Sequence, residues 1–221
     1  MKLIQIFRIL SFSLLTLSFT TQAQTSNTND PRAEAILEGV TSKYKPIAAF
    51  RATFTYTLES SGSGAKESFP GELVVKGQKY RMKMGEQEVI NNGTTIWTYL
   101  RDADEVNISN YEPEEDEINP SRIFNVYKKG YKYLFNEEIR EKGITYEVVD
   151  LVPENRNSQI FKIRLTISKK DKTLKNMRVF EKNGTRSLYS ITKFTADDTV
   201  EDKLFAFDVS KHKGVEVIDL R

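Results

Sequence analysis

His212 is the only histidine in this 221-residue chain, and cysteine is absent. One imidazole cannot build a multi-histidine zinc site or an HExxH motif, and without thiols there are no disulfides, thiolate metal sites or cysteine nucleophiles. His212 stands between Lys211 and Lys213 near the end of the chain. That setting reads as an exposed turn rather than as the base of a triad, and no GxSxG elbow accompanies it. The glycines of Ser60 to Ala65 (SSGSGA) lack the spacing of a phosphate loop, and no GK[ST] follows. Trp97 is the single tryptophan, which argues against a sugar-binding platform. The Asn-x-Ser/Thr triplets at Asn92, Asn107 and Asn183 look like glycosylation acceptors, but two of them fall at expected turns. Glu112 to Glu117 (EPEEDE) is the sharpest charge feature. It reads as a solvated loop, and its spacing does not match a calcium-binding EF-hand loop. The residues therefore predict no enzyme, no cofactor and no metal.

The chemistry that remains is apolar. In Lys79-Tyr-Arg-Met-Lys-Met84, a strand period puts Tyr80, Met82 and Met84 on one face and Lys79, Arg81 and Lys83 on the other. Two methionines beside an aromatic make a soft, deformable lining that adapts to varied ligand shapes. The same pattern also suits ordinary core packed under a helix. A strongly curved sheet with few helices to cover it leaves room for a cavity, as in barrel-type lipid carriers.

Charge narrows the class further. Lys+Arg is 33 against Asp+Glu 31, and with Lys2 and Arg8 set aside, 31 bases face 31 acids. A nucleic-acid partner would call for a basic excess. Met1 to Arg8 is a basic stretch, Ile9 to Phe19 an apolar run, and Thr21-Gln22-Ala23 ends in a small residue. The pattern predicts a signal peptide over 1–23, one domain over 24–221, and a product free in an envelope compartment, the periplasm.

The elements that must hold such a lining follow from periodicity. Asp30-Pro31 reads as an N-cap and a first-turn proline, and Ala33, Ile36, Leu37, Val40 and Tyr44 form an i, i+3, i+4 stripe ended by Pro46. From Phe50 the period becomes two, with Phe50, Ala52, Phe54, Tyr56 and Leu58 on one face. Strands are expected at Glu72–Lys76, Lys79–Met84, Glu88–Asn91, Thr94–Leu100 and Glu105–Asn110, with Asn92-Gly93 as a hairpin turn. Asn119-Pro120 opens an expected second helix to about Lys129, with Ile123, Phe124 and Tyr127 on one face. Strands resume at Gly143–Leu151, Ile160–Lys169, Thr173–Glu181, Arg186–Phe194 and a closing Phe205–Leu220 segment. The sum is a mainly β (α+β) fold, one curved antiparallel sheet of about eleven strands with two helices.

In their order and spacing, several stretches resemble the LolA family of periplasmic outer-membrane lipoprotein carriers. They are Phe50-Arg-Ala-Thr-Phe54, Gly71-Glu-Leu-Val-Val-Lys76, Lys79-Tyr-Arg-Met82 and Asn92-Gly-Thr-Thr-Ile-Trp-Thr-Tyr99. Further on come Phe161-Lys-Ile-Arg-Leu-Thr-Ile167, Phe205-Ala-Phe-Asp208 and Gly214-Val-Glu-Val-Ile-Asp219. The resemblance implies an unclosed antiparallel β-barrel whose concave apolar face is lidded by helices. It also implies a monomer that takes acylated lipoproteins from an inner-membrane Lol ABC transporter and releases them to an outer-membrane receptor. Tyr80, Met82, Met84 and Val89 match family positions facing the cavity, and Phe54 joins them as expected lipid-binding lining. Ile36, Leu37, Val40, Ile123 and Phe124 are the expected lid residues. Well-studied members carry a lid-closing arginine where this chain has Gly77, and Arg81 is the candidate to stand in for it.

Overall fold

The computed structural model describes residues 29–60, 64–113, 118–124, 127 and 130–221. The segment expected to be a signal peptide, 1–23, lies outside the described residues, as do 114–117 of the acidic tract.

Helix α1 spans Pro31–Tyr44. One carboxylate oxygen of Asp30 accepts the Arg32 and Ala33 N–H groups at 2.8 and 3.4 Å, satisfying donors that a helix start leaves unpaired. The other oxygen accepts the Phe135 N–H at 3.1 Å, and the Asp30 N–H donates to the Tyr133 carbonyl. Burial pushes the Asp30 carboxyl up, but the N–H bonds from Phe135, Arg32 and Ala33 and the Arg32 charge hold it below its usual value. The cap thus fixes where the helix lands as well as where it begins.

Among the described residues, twelve strands follow. They are β1 (Ala49–Ser60), β2 (Lys66–Lys76), β3 (Lys79–Met84), β4 (Gln87–Asn91), β5 (Thr95–Leu100) and β6 (Glu105–Asn110), then β7 (Tyr131–Glu141), β8 (Ile144–Pro153), β9 (Ile160–Ser168), β10 (Leu174–Glu181), β11 (Thr185–Ala196) and β12 (Glu216–Asp219). They form one sheet in the order β12-β6-β5-β4-β3-β2-β1-β11-β10-β9-β8-β7, and the end strands β12 and β7 do not pair, so the barrel is unclosed. Asn92 and Gly93 make the expected turn. The Asn92 Oδ1 accepts the Thr94 and Thr95 N–H groups, and Gly93 takes a φ of 97° that favours glycine.

Three expectations need correction. The strand β7 lies in a stretch the periodicity does not flag. Its inward Tyr131, Tyr133 and Phe135 are followed by a bulge between Phe135 and Glu137, which breaks the period of two. The expected second helix opens, among the described residues, as a 3-10 turn over Pro120–Arg122 rather than as an α-helix. Asn119 caps it as expected, its Oδ1 accepting the Ser121 N–H, but the Phe124 carbonyl is taken by the Thr41 hydroxyl of α1. The closing segment is two 3-10 turns, Asp202–Phe205 and Val209–Lys211, ahead of a four-residue strand that pairs parallel, not antiparallel, with β6.

Three apolar clusters result. The α1 stripe of Ala33, Ile36, Leu37, Val40 and Tyr44 packs on Val149, Leu151, Ile163, Leu165, Ile167 and their neighbours, which lie on the β7–β10 half of the sheet. Phe50, Phe54, Leu73, Val75 and Tyr80 form a second cluster on the concave face of the other half. On the opposite face the closing segment lays Val200, Phe205 and Phe207 over Ile90, Tyr99 and Val106. His212 stacks on Phe207 (ring centroids 4.5 Å) with Tyr99 edge-on, so it packs within this strap.

Candidate ligand cavity on the concave face

An apolar cavity of about 100 Å³ lies where the two halves of the sheet meet. Its floor comes from five adjacent strands: Phe50, Ala52 and Phe54 of β1, Leu73 of β2, Met82 of β3, Met177 of β10, and Tyr189, Ile191 and Phe194 of β11. Its cover is the segment between β6 and β7, through Ile118, Pro120, Ile123 and Phe124. Among the described residues no charged side chain lines it. Burial pushes the Tyr189 phenol up to about 12, helped by Tyr56 and Glu181, so at neutral pH this hydroxyl is uncharged.

Phe124 is the wall. Its ring lies parallel to Tyr44 with centroids 3.6 Å apart, and Phe50 and Phe194 approach at 5.7 and 5.9 Å. A second cavity of about 320 Å³ opens behind it, lined by Thr41, Tyr44, Lys45, Ala48, Gly77 and Ser121 among others, and Phe50 and Phe124 border both spaces. The inner cavity alone is smaller than the roughly 300–1,000 Å³ of ordinary ligand sites. A long apolar ligand therefore fits only if the cover moves and the two spaces merge. Among the described residues the cover belongs to no strand ladder, and its side-chain ties include Thr41 to the Phe124 carbonyl at 3.1 Å, the Thr41 and Tyr127 hydroxyls at 3.0 Å, and the Asn119 amide to the Tyr111 hydroxyl at 2.5 Å.

Of the residues expected as lining and lid, Phe54, Met82, Ile123 and Phe124 border the cavity. Tyr80, Met84 and Val89 share the concave cluster with Phe54 but do not border it, Tyr80 being buried beneath. Ile36, Leu37 and Val40 pack with the β7–β10 half instead. The physical reason is the Asp30 cap, whose bonds to Tyr133 and Phe135 dock α1 beside β7. Arg81 is not placed to latch a cover. It lies on the other face, donating to Glu88 Oε1 at 2.5 Å and to the Leu204 carbonyl at 3.1 Å.

Sequence reasoning missed Leu73, Met177, Tyr189, Ile191 and Phe194 as lining, along with Phe50, Ala52 and, in the cover, Ile118 and Pro120. The register shift between Thr53 and Phe54 displaces Phe194 from the simple alternation with Tyr189 and Ile191. One signal was available. Gly71 sits inside a strand, where glycine marks a close approach. It pairs with Phe54, and a Cβ there would lie 2.3 Å from the Phe54 ring. Gly71→Ala should therefore drive the ring toward the cavity, lower stability by about 2 kcal/mol and suppress uptake of an apolar fluorescent dye. Unchanged melting together with unchanged dye binding would show that the ring has another place to go.

Among the described residues no three His, Cys, Asp or Glu side chains are grouped to hold a metal ion, and no helix is long and apolar enough to cross a membrane.

Comparisons with known proteins agree with this geometry. Residues 45–208 match the family model described as outer membrane lipoprotein carrier protein LolA. No curated protein matches the sequence. Among solved structures, an uncharacterized conserved protein from Thermus thermophilus superposes with a TM-score of 0.55 at 12% identity, covering 85% of this chain and 99% of that one. A LolA superfamily protein from Nitrosomonas europaea gives 0.44 at 13% identity, covering 80% of this chain and 98% of that one. Lipoprotein LppX from Mycobacterium tuberculosis gives 0.44 at 13% identity, covering 78% and 100%. At these identities the Thermus match speaks for the fold alone.

Proposed function

This chain belongs to the LolA family of outer membrane lipoprotein carrier proteins, and we propose that it is a non-enzymatic carrier that shelters the acyl chains of lipoproteins between the inner and outer membranes. The observation that carries this reading is the uncharged aromatic and methionine lining of the concave cavity, closed by a segment outside the sheet ladder. Each buried CH₂ contributes roughly 0.8 kcal/mol, so a long chain crosses water at tolerable cost only inside such a shell. Cover movement supplies the exchange step: Phe124 swings away from Tyr44, the two cavities join, and the chain enters between β1, β11 and the cover. The 1–23 segment would deliver the protein to the periplasm, an inner-membrane Lol ABC transporter would load it, and an outer-membrane receptor with higher affinity would empty it. It would work as a monomer, since its site lies within one sheet.

Depletion tests this directly. Lipoproteins destined for the outer membrane should accumulate in the inner-membrane fraction, as read by fractionation and immunoblotting, and mass spectrometry of the protein purified from its native envelope should find acylated peptides. Normal sorting after depletion, with a different lipid co-purifying, would instead make it a carrier of that lipid. An acylated regulatory protein as the sole co-purifying species would make it an envelope sensor.

A further inference from the structure

Among the described side chains that line the inner cavity, the Tyr189 hydroxyl is the one polar group. Its ring is held between Tyr56 and Phe54, at centroid distances of 5.1 and 6.0 Å. The neighbouring Tyr56 hydroxyl shares a hydrogen bond with the Ser187 hydroxyl at 3.3 Å. No hydrogen-bonding group among the described residues meets the hydroxyl of Tyr189. Tyr189 is half-buried, but an acyl chain filling the cavity would cut its hydroxyl off from water, and the hydroxyl would then need a partner supplied by the ligand. A phenylalanine would fill the same space without that penalty if the cavity took hydrocarbon alone.

We propose that Tyr189 donates a hydrogen bond to the carbonyl oxygen of an ester-linked acyl chain, and so selects acyl esters over plain hydrocarbon and over free fatty acids. The chemistry is complementary. A phenol in apolar surroundings is a firm donor, and an ester carbonyl is an acceptor that brings no charge. A free carboxylate would also accept, but it would bring a charge into a lining in which no described residue is a cation, and an unpaired buried charge is strongly disfavoured. The aromatic row continues from Tyr189 through Tyr56 to Phe69, which is stacked on Tyr56 at 6.5 Å and exposed. With its carbonyl at Tyr189, a chain runs inward along Phe54 and Met82 while the polar remainder of the ligand lies toward Tyr56 and Phe69.

This inference rests on the reading of the cavity as an acyl site, and the test separates the two. The probes are a diacylated lipopeptide with two ester-linked chains and its ether-linked counterpart, whose oxygens are far weaker acceptors, each titrated against a bound apolar dye. Wild type should bind the ester roughly three- to tenfold more tightly. Tyr189→Phe, which removes one oxygen and breaks no internal bond, should fold normally and erase that preference while leaving ether affinity unchanged. Tyr56→Phe, whose hydroxyl already has a partner, should keep it. Equal binding of both probes by wild type, or a preference that survives in Tyr189→Phe, would overturn the Tyr189 assignment with the carrier reading intact. Failure of both lipopeptides to displace the dye from wild type would overturn the acyl-site reading itself.

Discussion

Met82→Asp should abolish acyl binding and leave the protein folded. Met82 borders the cavity from β3 and is only half-buried, so an aspartate there can draw water into the empty site and the unliganded fold survives. A bound chain would expel that water and strand the carboxylate, because no described residue lining the cavity is a cation. Leaving it unpaired costs on the order of 3 kcal/mol or more, which is a loss of roughly a hundredfold in affinity. The neighbouring Lys83 points the other way, exposed and 3.9 Å from Glu88. Lys83→Ala should therefore change affinity little and stability by no more than about 0.5 kcal/mol. Titration of a lipopeptide or apolar dye against both variants decides the matter. Equal losses from the two would place the ligand elsewhere than on this face of β3.

The reason this contrast could be drawn from the sequence is that β3 obeys the period of two without a break. Tyr80 and Met82 face the concave side, and Arg81 bonds the strap on the other. The α1 stripe was equally legible, down to its Asp30 cap. What periodicity could not say is which surface a stripe meets. That choice was made by two bonds, the Asp30 N–H to the Tyr133 carbonyl and the Phe135 N–H to the Asp30 carboxylate, that tie it to β7, a strand whose charged second half, Glu137, Glu138, Arg140 and Glu141, and central bulge hide it from pattern reading. The cavity residues of β10 and β11 were hidden for a related reason. Register shifts at Thr53/Phe54 and Leu174/Asn176 change which residues face inward partway along a strand, and a bulge of one residue leaves almost no mark in composition. The cover was half legible, since Asn119-Pro120 announces a turn start, but the bond from Thr41, about eighty residues earlier, to the Phe124 carbonyl leaves no mark in the local pattern.

The opposite face of β3 yields the larger effect on stability. Arg81→Met should lower the unfolding free energy by about 3 kcal/mol, without the loss of acyl affinity expected of Met82→Asp. Glu88 is 3% exposed, and its close partner is the Arg81 guanidinium at 2.5 Å, with Lys83 at 3.9 Å. Removing the arginine leaves a buried carboxylate with one distant cation, and it also frees the Leu204 carbonyl that ties the closing strap to the sheet. Restoring neutrality should recover most of the loss: Arg81→Met combined with Glu88→Leu removes both charges, and buried pairs replaced by apolar side chains are often no less stable. Denaturant melts of the single and double variants, with lipopeptide titration on each, check this. A single variant as stable as wild type would mean that water or Lys83 satisfies Glu88 unaided. A single variant that stays folded but loses acyl binding would mean that the strap, through β3, controls the shape of the cavity. The two faces of six residues would then be coupled, and binding could not be separated from stability along this strand.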